Sequence, residues 1–159
     1  MPTLRITPAS SPAATALIAA LDHDISLRYP GQPVNGIAAA DFESRGGLFV
    51  IAFDGDTPAA CGAFRPFEGA AEIKRMYVAP AYRRRGLGRL ILRFLVEEAA
   101  RRGFTRAILE TGNRQTEAIR LYTTEGWTPI PVFGPYVGDP LSMCFEKQLG
   151  RAASKGGVG

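Results

Sequence analysis

Histidine occurs once in this 159-residue chain, at His23, and cysteine twice, at Cys61 and Cys144. There is no Cys-x-x-Cys pair, so nothing has the spacing of a protein zinc site, and no metal is expected. A Ser-His or Cys-His catalytic pair would have to use His23, which stands near a loop-like stretch, and that chemistry is set aside. The two cysteines lie far apart in apolar, strand-like runs. They read as buried free thiols, in keeping with a reducing, cytoplasmic setting. No apolar run is long enough to span a membrane. Residues 13–21 are apolar but short, and no basic stretch and cleavage-like site frame them as a signal peptide. They read as an amphipathic helix with Ala14, Leu17, Ile18 and Leu21 on one side. A basic stripe with interleaved aromatics is also missing, which argues against a nucleic-acid partner.

What is present has the balance of an ordinary globular protein, 46% hydrophobic and 21% charged. The length suits one domain with a sizeable core, expected over 1–149, while 150–159 is small, polar and expected to be disordered. Net charge is +4, and Arg83, Arg84, Arg85, Arg89 and Arg93 all fall in one short stretch. That locality favours a discrete anion site over a broad basic surface.

Residues 3–7 read as a first strand, and Ser10 or Ser11 can cap the helix that follows. That helix is expected to end near Leu21, with a second short helical piece over 22–28. Residues 31–46 read as a loop with one helical turn. Strands are expected at 48–53, 59–66 and 71–78, joined by turns at Asp54-Gly55-Asp56 and Glu68-Gly69. A long helix should run from 87 to 102, with Leu87, Ile91, Phe94, Leu95 and Glu98 near one face. Residues 106–110 form the next strand, and a helix joining two strands implies that they pair in parallel. Asn113 can cap a helix running to about Glu125, and 128–133 and 141–147 read as final strands.

The run Arg83-Arg84-Arg85-Gly86-Leu87-Gly88 lies between a strand and a helix start. A helix N-terminus carries unpaired N–H groups and partial positive charge, and glycines let a phosphate approach the backbone. Arginine adds charge and planar donor forks. The layout can hold a diphosphate; an exposed basic turn before a helix would look the same.

With these elements in order, the chain resembles the GNAT superfamily of acyl-CoA-dependent N-acetyltransferases over residues 4–149. The R-x-x-G-x-G loop stands at Arg83, Gly86 and Gly88. Before it comes Glu72-Ile73-Lys74-Arg75-Met76-Tyr77-Val78-Ala79-Pro80, and after it Asn113 with Ala118-Ile119-Arg120-Leu121-Tyr122-Thr123-Thr124-Glu125-Gly126-Trp127. The second segment looks like the family's N…A-x-x-L-Y-x-x-x-G-[FW] pattern. The resemblance implies an α/β (α+β) fold: a mixed, mostly antiparallel sheet of about seven strands with a splayed parallel pair and about four flanking helices. It implies acetyl-CoA as acyl donor, bound by Met76, Tyr77, Val78, Arg83, Arg84, Arg85, Gly86, Leu87, Gly88, Arg89 and Asn113.

The implied reaction is attack of an amine on the thioester. Tyr122 is the implied general acid; packing is the ordinary role of a tyrosine on that helical face. Glu72 is the candidate base, against the alternative of a solvated edge charge, and Glu110 is a second candidate. Arg65, Lys74 and Arg75 could select an acidic acceptor, or be solvated strand charges. In the family, segments like those holding His23, Tyr29 and Tyr136 line the acceptor cleft. The expected acceptor is a small-molecule or amino-acid-like amine, with no membrane partner and a homodimer left open. The rival readings are a non-catalytic acyl-CoA sensor, a transferase acting on a protein lysine or N-terminus, and a nucleic-acid-binding module.

Overall fold

The computed structural model describes residues 2–31 and 46–150. The expected helical turn within 31–46 and the expected disorder of the tail fall outside the described residues, apart from Gly31, Gly46 and Gly150.

Seven strands form one sheet: β1 (Thr3–Ile6), β2 (Leu48–Asp54), β3 (Thr57–Phe67), β4 (Ala70–Val78), β5 (Arg106–Gly112), β6 (Thr128–Ile130) and β7 (Ser142–Gln148). Their order is β1-β2-β3-β4-β5-β7-β6, with β4 and β5 parallel and every other pair antiparallel. β6 stops at Ile130, shorter than the run to 133 expected from sequence, because Pro131 has no N–H for the ladder.

Three α-helices flank the sheet among the described residues, one fewer than expected: α1 (Pro12–Arg28), α2 (Leu87–Arg101) and α3 (Thr116–Thr124). The two pieces expected over 13–28 are one helix, since no proline or glycine separates them. Ser11 caps it, its hydroxyl accepting from Ala14 N at 3.2 Å, and Pro12 follows in the first turn, where its missing N–H costs nothing. Ala14, Leu17 and Leu21 face one side of the sheet, against Phe49, Ile51, Cys61 and Tyr77.

α2 covers the other side with Leu87, Ile91, Leu92, Leu95 and Ala99. Leu92 is buried on this stripe, whereas Phe94 is only half-buried. Burying each such Leu or Ile stabilises by about 1.5–3 kcal/mol. The helix sits close because Gly62 has no side chain: a Cβ there would lie 2.6 Å from Ile91 and 2.7 Å from Met76.

Gly62 also faces an irregularity. Cys61 pairs with Tyr77 and Ala63 with Lys74, so Arg75 and Met76 together oppose the single residue Gly62. This is a β-bulge, and Arg75 takes the left-handed φ of +61°. The extra residue exchanges the faces of β4. Before it, Ala71 and Ile73 pack on the α2 side; after it, Met76 and Val78 do, while Tyr77 joins the α1 side.

Candidate active site

The bend at Arg75 has its effect on the parallel pair. β4 and β5 are paired only at Ala71–Ala107, Glu72–Ile108 and Ile73–Leu109. Beyond Ile73 the strands part, although each continues, to Val78 and to Gly112. Past this point a cleft of about 680 Å³ lies along β4. Its walls are Met76, Tyr77 and Val78 of β4, the loop and first turn of α2, and Ala118, Leu121 and Tyr122 of α3.

At the loop end, Gly86 is the N-cap of α2 with φ +80°, and a Cβ on it would meet nothing within 4 Å. The first helical hydrogen bond runs from Leu90 N to Gly86 O, leaving the N–H groups before it outside the helix ladder. Those N–H groups, the helix dipole and Arg84, itself at φ +67°, form a concave anion cradle at one end of the cleft. Arg83 Nε donates to Val78 O at 2.8 Å, which ties the loop to the end of β4. Arg89 and Arg93 both bind Glu125, joining the start of α2 to the end of α3. The residues present therefore fit a pantetheine diphosphate: an unpaired strand edge for the amides and a helix start for the phosphates.

Of the residues singled out in sequence, Met76, Tyr77, Val78, Arg83, Arg84, Gly86, Leu87, Gly88, Arg89 and Tyr122 line this cleft. Arg85 instead lies over the Tyr82 ring, at 5.5 Å. Asn113 is exposed and is not the cap of α3, which begins at Thr116 after Gln115. Its N–H is taken by Leu141 O at 2.8 Å, holding it to the chain before β7. Arg28, from the end of α1, and Arg120 also line the cleft. Arg28 is remote in sequence from the glycine loop, so no local pattern could have pointed to it; Arg120 lies inside the recognised segment.

Tyr122 is buried, its ring 6.0 Å from those of both Trp127 and Phe145. Burial, with a smaller contribution from the charge of Glu110, pushes its hydroxyl well above the ordinary phenol range. The phenol therefore keeps its proton. Burial acts on sulfur in the same way: the Cys61 thiol is pushed up to about 12.

The α1 side of the sheet carries a buried polar cluster. Glu72 is 1% exposed, so it is not a solvated edge charge. Arg65 Nε donates to its Oε1 at 3.0 Å, Lys74 Nζ lies 3.6 Å from its Oε2, and Tyr136 Oη donates to Oε2 at 3.4 Å. Lys74 also donates to Tyr136 Oη. Burial lowers the Lys74 pKa, opposed by the charges of Glu72 and Glu110. Arg75 pairs with Asp22. Arg65, Lys74 and Arg75 are thus all engaged by carboxylates rather than free in solvent. Glu110 accepts a hydrogen bond from Ser142 Oγ at 2.7 Å, and burial raises its pKa. Tyr29 is buried against Gly112, its hydroxyl accepting from Arg114 N at 2.7 Å.

Known proteins share this sequence pattern and fold. Residues 16–127 match the family described as Acetyltransferase (GNAT) family. An IAA acetyltransferase of Azospirillum brasilense is 34% identical over 139 residues, which cover 86% of this chain and 91% of that protein. A crystal structure of a protein from Klebsiella pneumoniae superposes with a TM-score of 0.78 at 32% identity, covering 94% of this chain and 98% of that one. A GNAT family acetyltransferase from Elizabethkingia anophelis, solved with acetyl-CoA bound, shares the fold at a TM-score of 0.69 and 17% identity, covering 93% of this chain and 98% of that one. The chain belongs to the GNAT family of N-acetyltransferases.

Proposed function

We propose that this chain, as one catalytic domain over 1–149, transfers an acetyl group directly from acetyl-CoA to a primary amine of a small-molecule or amino-acid-like acceptor. The observation that carries the reading is the early end of β4–β5 pairing, at Ile73 and Leu109, beside both Tyr122 and the N-terminus of α2. Acetyl-CoA supplies a thioester carbonyl, to which the amine nitrogen adds as the sulfur leaves.

The chain's own residues do the rest. The free edge of Met76–Val78 receives the pantetheine amides, and the start of α2 receives the phosphates. The ring contacts of Tyr122 with Trp127 and Phe145 fix its position in the cleft wall, and its hydroxyl donates to the departing sulfur. The acceptor approaches from the α1 side, where Glu72, Glu110, Lys74 and Tyr136 gather; either carboxylate can draw off the amine proton. Holding both reactants across one gap makes the attack effectively unimolecular.

The experiment is thiol release from acetyl-CoA over a panel of primary amines and amino acids, with IAA, named in the Azospirillum relative, added to it. Acetyl-CoA-dependent release with at least one primary amine is expected. Release with none, by protein that binds acetyl-CoA in calorimetry, would refute the proposed acceptor class.

A further inference from the structure

We infer that a pocket between α2, the end of α3 and β7 binds a small monocarboxylate, its oxygens taken by Lys147 and by the indole N–H of Trp127. The pocket shares no lining residue with the cleft beside β4 and is independent of the transferase reading.

The chain builds this pocket locally. Gly126 turns at φ +88° after α3, a left-handed step that glycine takes freely. Thr128 of β6 then pairs with Glu146 in antiparallel register, which brings Trp127 beside Lys147 of β7. Leu92, Arg93, Val96 and Glu97 of α2 line the opposite wall, and the space between is about 230 Å³.

Two donors here are unspent. Trp127 is 3% exposed, and its Nε1 is buried with no hydrogen-bond partner. No other buried side-chain nitrogen or oxygen among the described residues is left so. An indole N–H only donates, so the missing partner is an acceptor, and an oxygen brought in beside the ring relieves the cost of an unpaired buried donor. Lys147 Nζ has three donors and spends one, at 2.7 Å, on the carbonyl oxygen of Glu125. It has no carboxylate partner among the described residues.

Charge and shape set the class of ligand. Arg93 is bonded through Nε and Nη2 to the two oxygens of Glu125, at 2.8 and 3.0 Å, which leaves Lys147 as the lining cation without a carboxylate. Glu97 and Glu125 also line the pocket and oppose a second negative charge on the ligand. A monoanion therefore fits better than a dianion. Leu92 and Val96 supply an apolar wall for a short aliphatic stem.

Trp127 is the only tryptophan in the chain, so its indole N–H gives a single proton–nitrogen NMR resonance. The full chain is titrated with sodium propionate, exchanged for sodium chloride at constant ionic strength. A saturable downfield shift is expected, half-complete on the order of 10 mM, with the same midpoint when acetyl-CoA is present at saturation. Lys147→Met keeps the stem and deletes the ammonium, and should weaken binding tenfold or more. Inorganic phosphate should move the resonance far less at equal concentration. No saturable shift of the parent up to about 0.1 M propionate would overturn the inference, whether or not the variant folds. So would a midpoint that Lys147→Met leaves in place, or an equal response to phosphate. Competition by acetyl-CoA would put the carboxylate in the cleft and overturn it as well.

Discussion

Arg75 of the β4 bulge places its Nη1 2.8 Å from Asp22 Oδ1 on α1. The Cys61 thiol donates to the carbonyl of the same Arg75 at 3.3 Å. The residue whose left-handed backbone bends β4 away from β5 is thus held from two sides. One hold comes from a helix and the other from the neighbouring strand.

Removing the helix hold should loosen the bend. Asp22 is 37% exposed, so screening limits the pair, and Asp22→Ala should cost only about 1 kcal/mol in a denaturant titration. Acetyl-CoA affinity should fall more than this small stability loss suggests, because the free edge after Arg75 loses its fixed direction. Calorimetry showing parental affinity would disconnect the Asp22 contact from the cleft.

Gly86→Asp tests the phosphate end. The φ of +80° already disfavours a side chain, and a carboxylate would project where anions are to bind. Acetyl-CoA binding should weaken by tenfold or more, about 1.4 kcal/mol, while the variant remains folded. Parental affinity would move the diphosphate elsewhere.

Tyr122→Phe keeps the ring between Trp127 and Phe145 and deletes the hydroxyl. Turnover should fall by about 10²–10⁴ with little change in melting temperature or acetyl-CoA affinity. If the ring serves packing alone, turnover should stay at the parental value, and that result would end the acid role.

Glu110 also bears on stability. Its folded pKa is raised, so between the unfolded carboxylate range and the folded value the native chain binds more protons than the unfolded one. Stability linked to this group is therefore present at low pH and lost as pH rises through that window. Glu110→Gln should raise the melting temperature at neutral pH, and the gain should shrink as pH falls into the carboxylate range. A neutral-pH melting temperature below the parent's would show that the charge stabilises the fold.

The strands, the long helix and the glycine loop were legible because each is announced locally, by alternation, by apolar spacing or by Gly86 and Gly88. The union of two expected pieces into α1 was missed because Asp22, His23 and Asp24 interrupt the apolar stripe without breaking the backbone. Asn113 misled because Asn is a good cap in general, whereas here its N–H is already bonded to Leu141 O. The bulge at Arg75 carries no sequence mark at all; arginine is a poor choice for positive φ, and only its long-range contacts hold it there. The burial of Glu72 is equally silent, since the groups that pair with it come from β3, from β4 and from the Tyr136 loop.

The parted strands also bear on how the protein responds to its donor. Past Ile73, β4 has no ladder partner in β5. On the proposed function, a donor lying along that edge would complete the sheet between β4 and β5, as a removable strand as well as a reactant. Hydrogen–deuterium exchange should then slow at residues 76–78 on acetyl-CoA binding. On that reading, saturation with the donor would complete the sheet anew at every turnover.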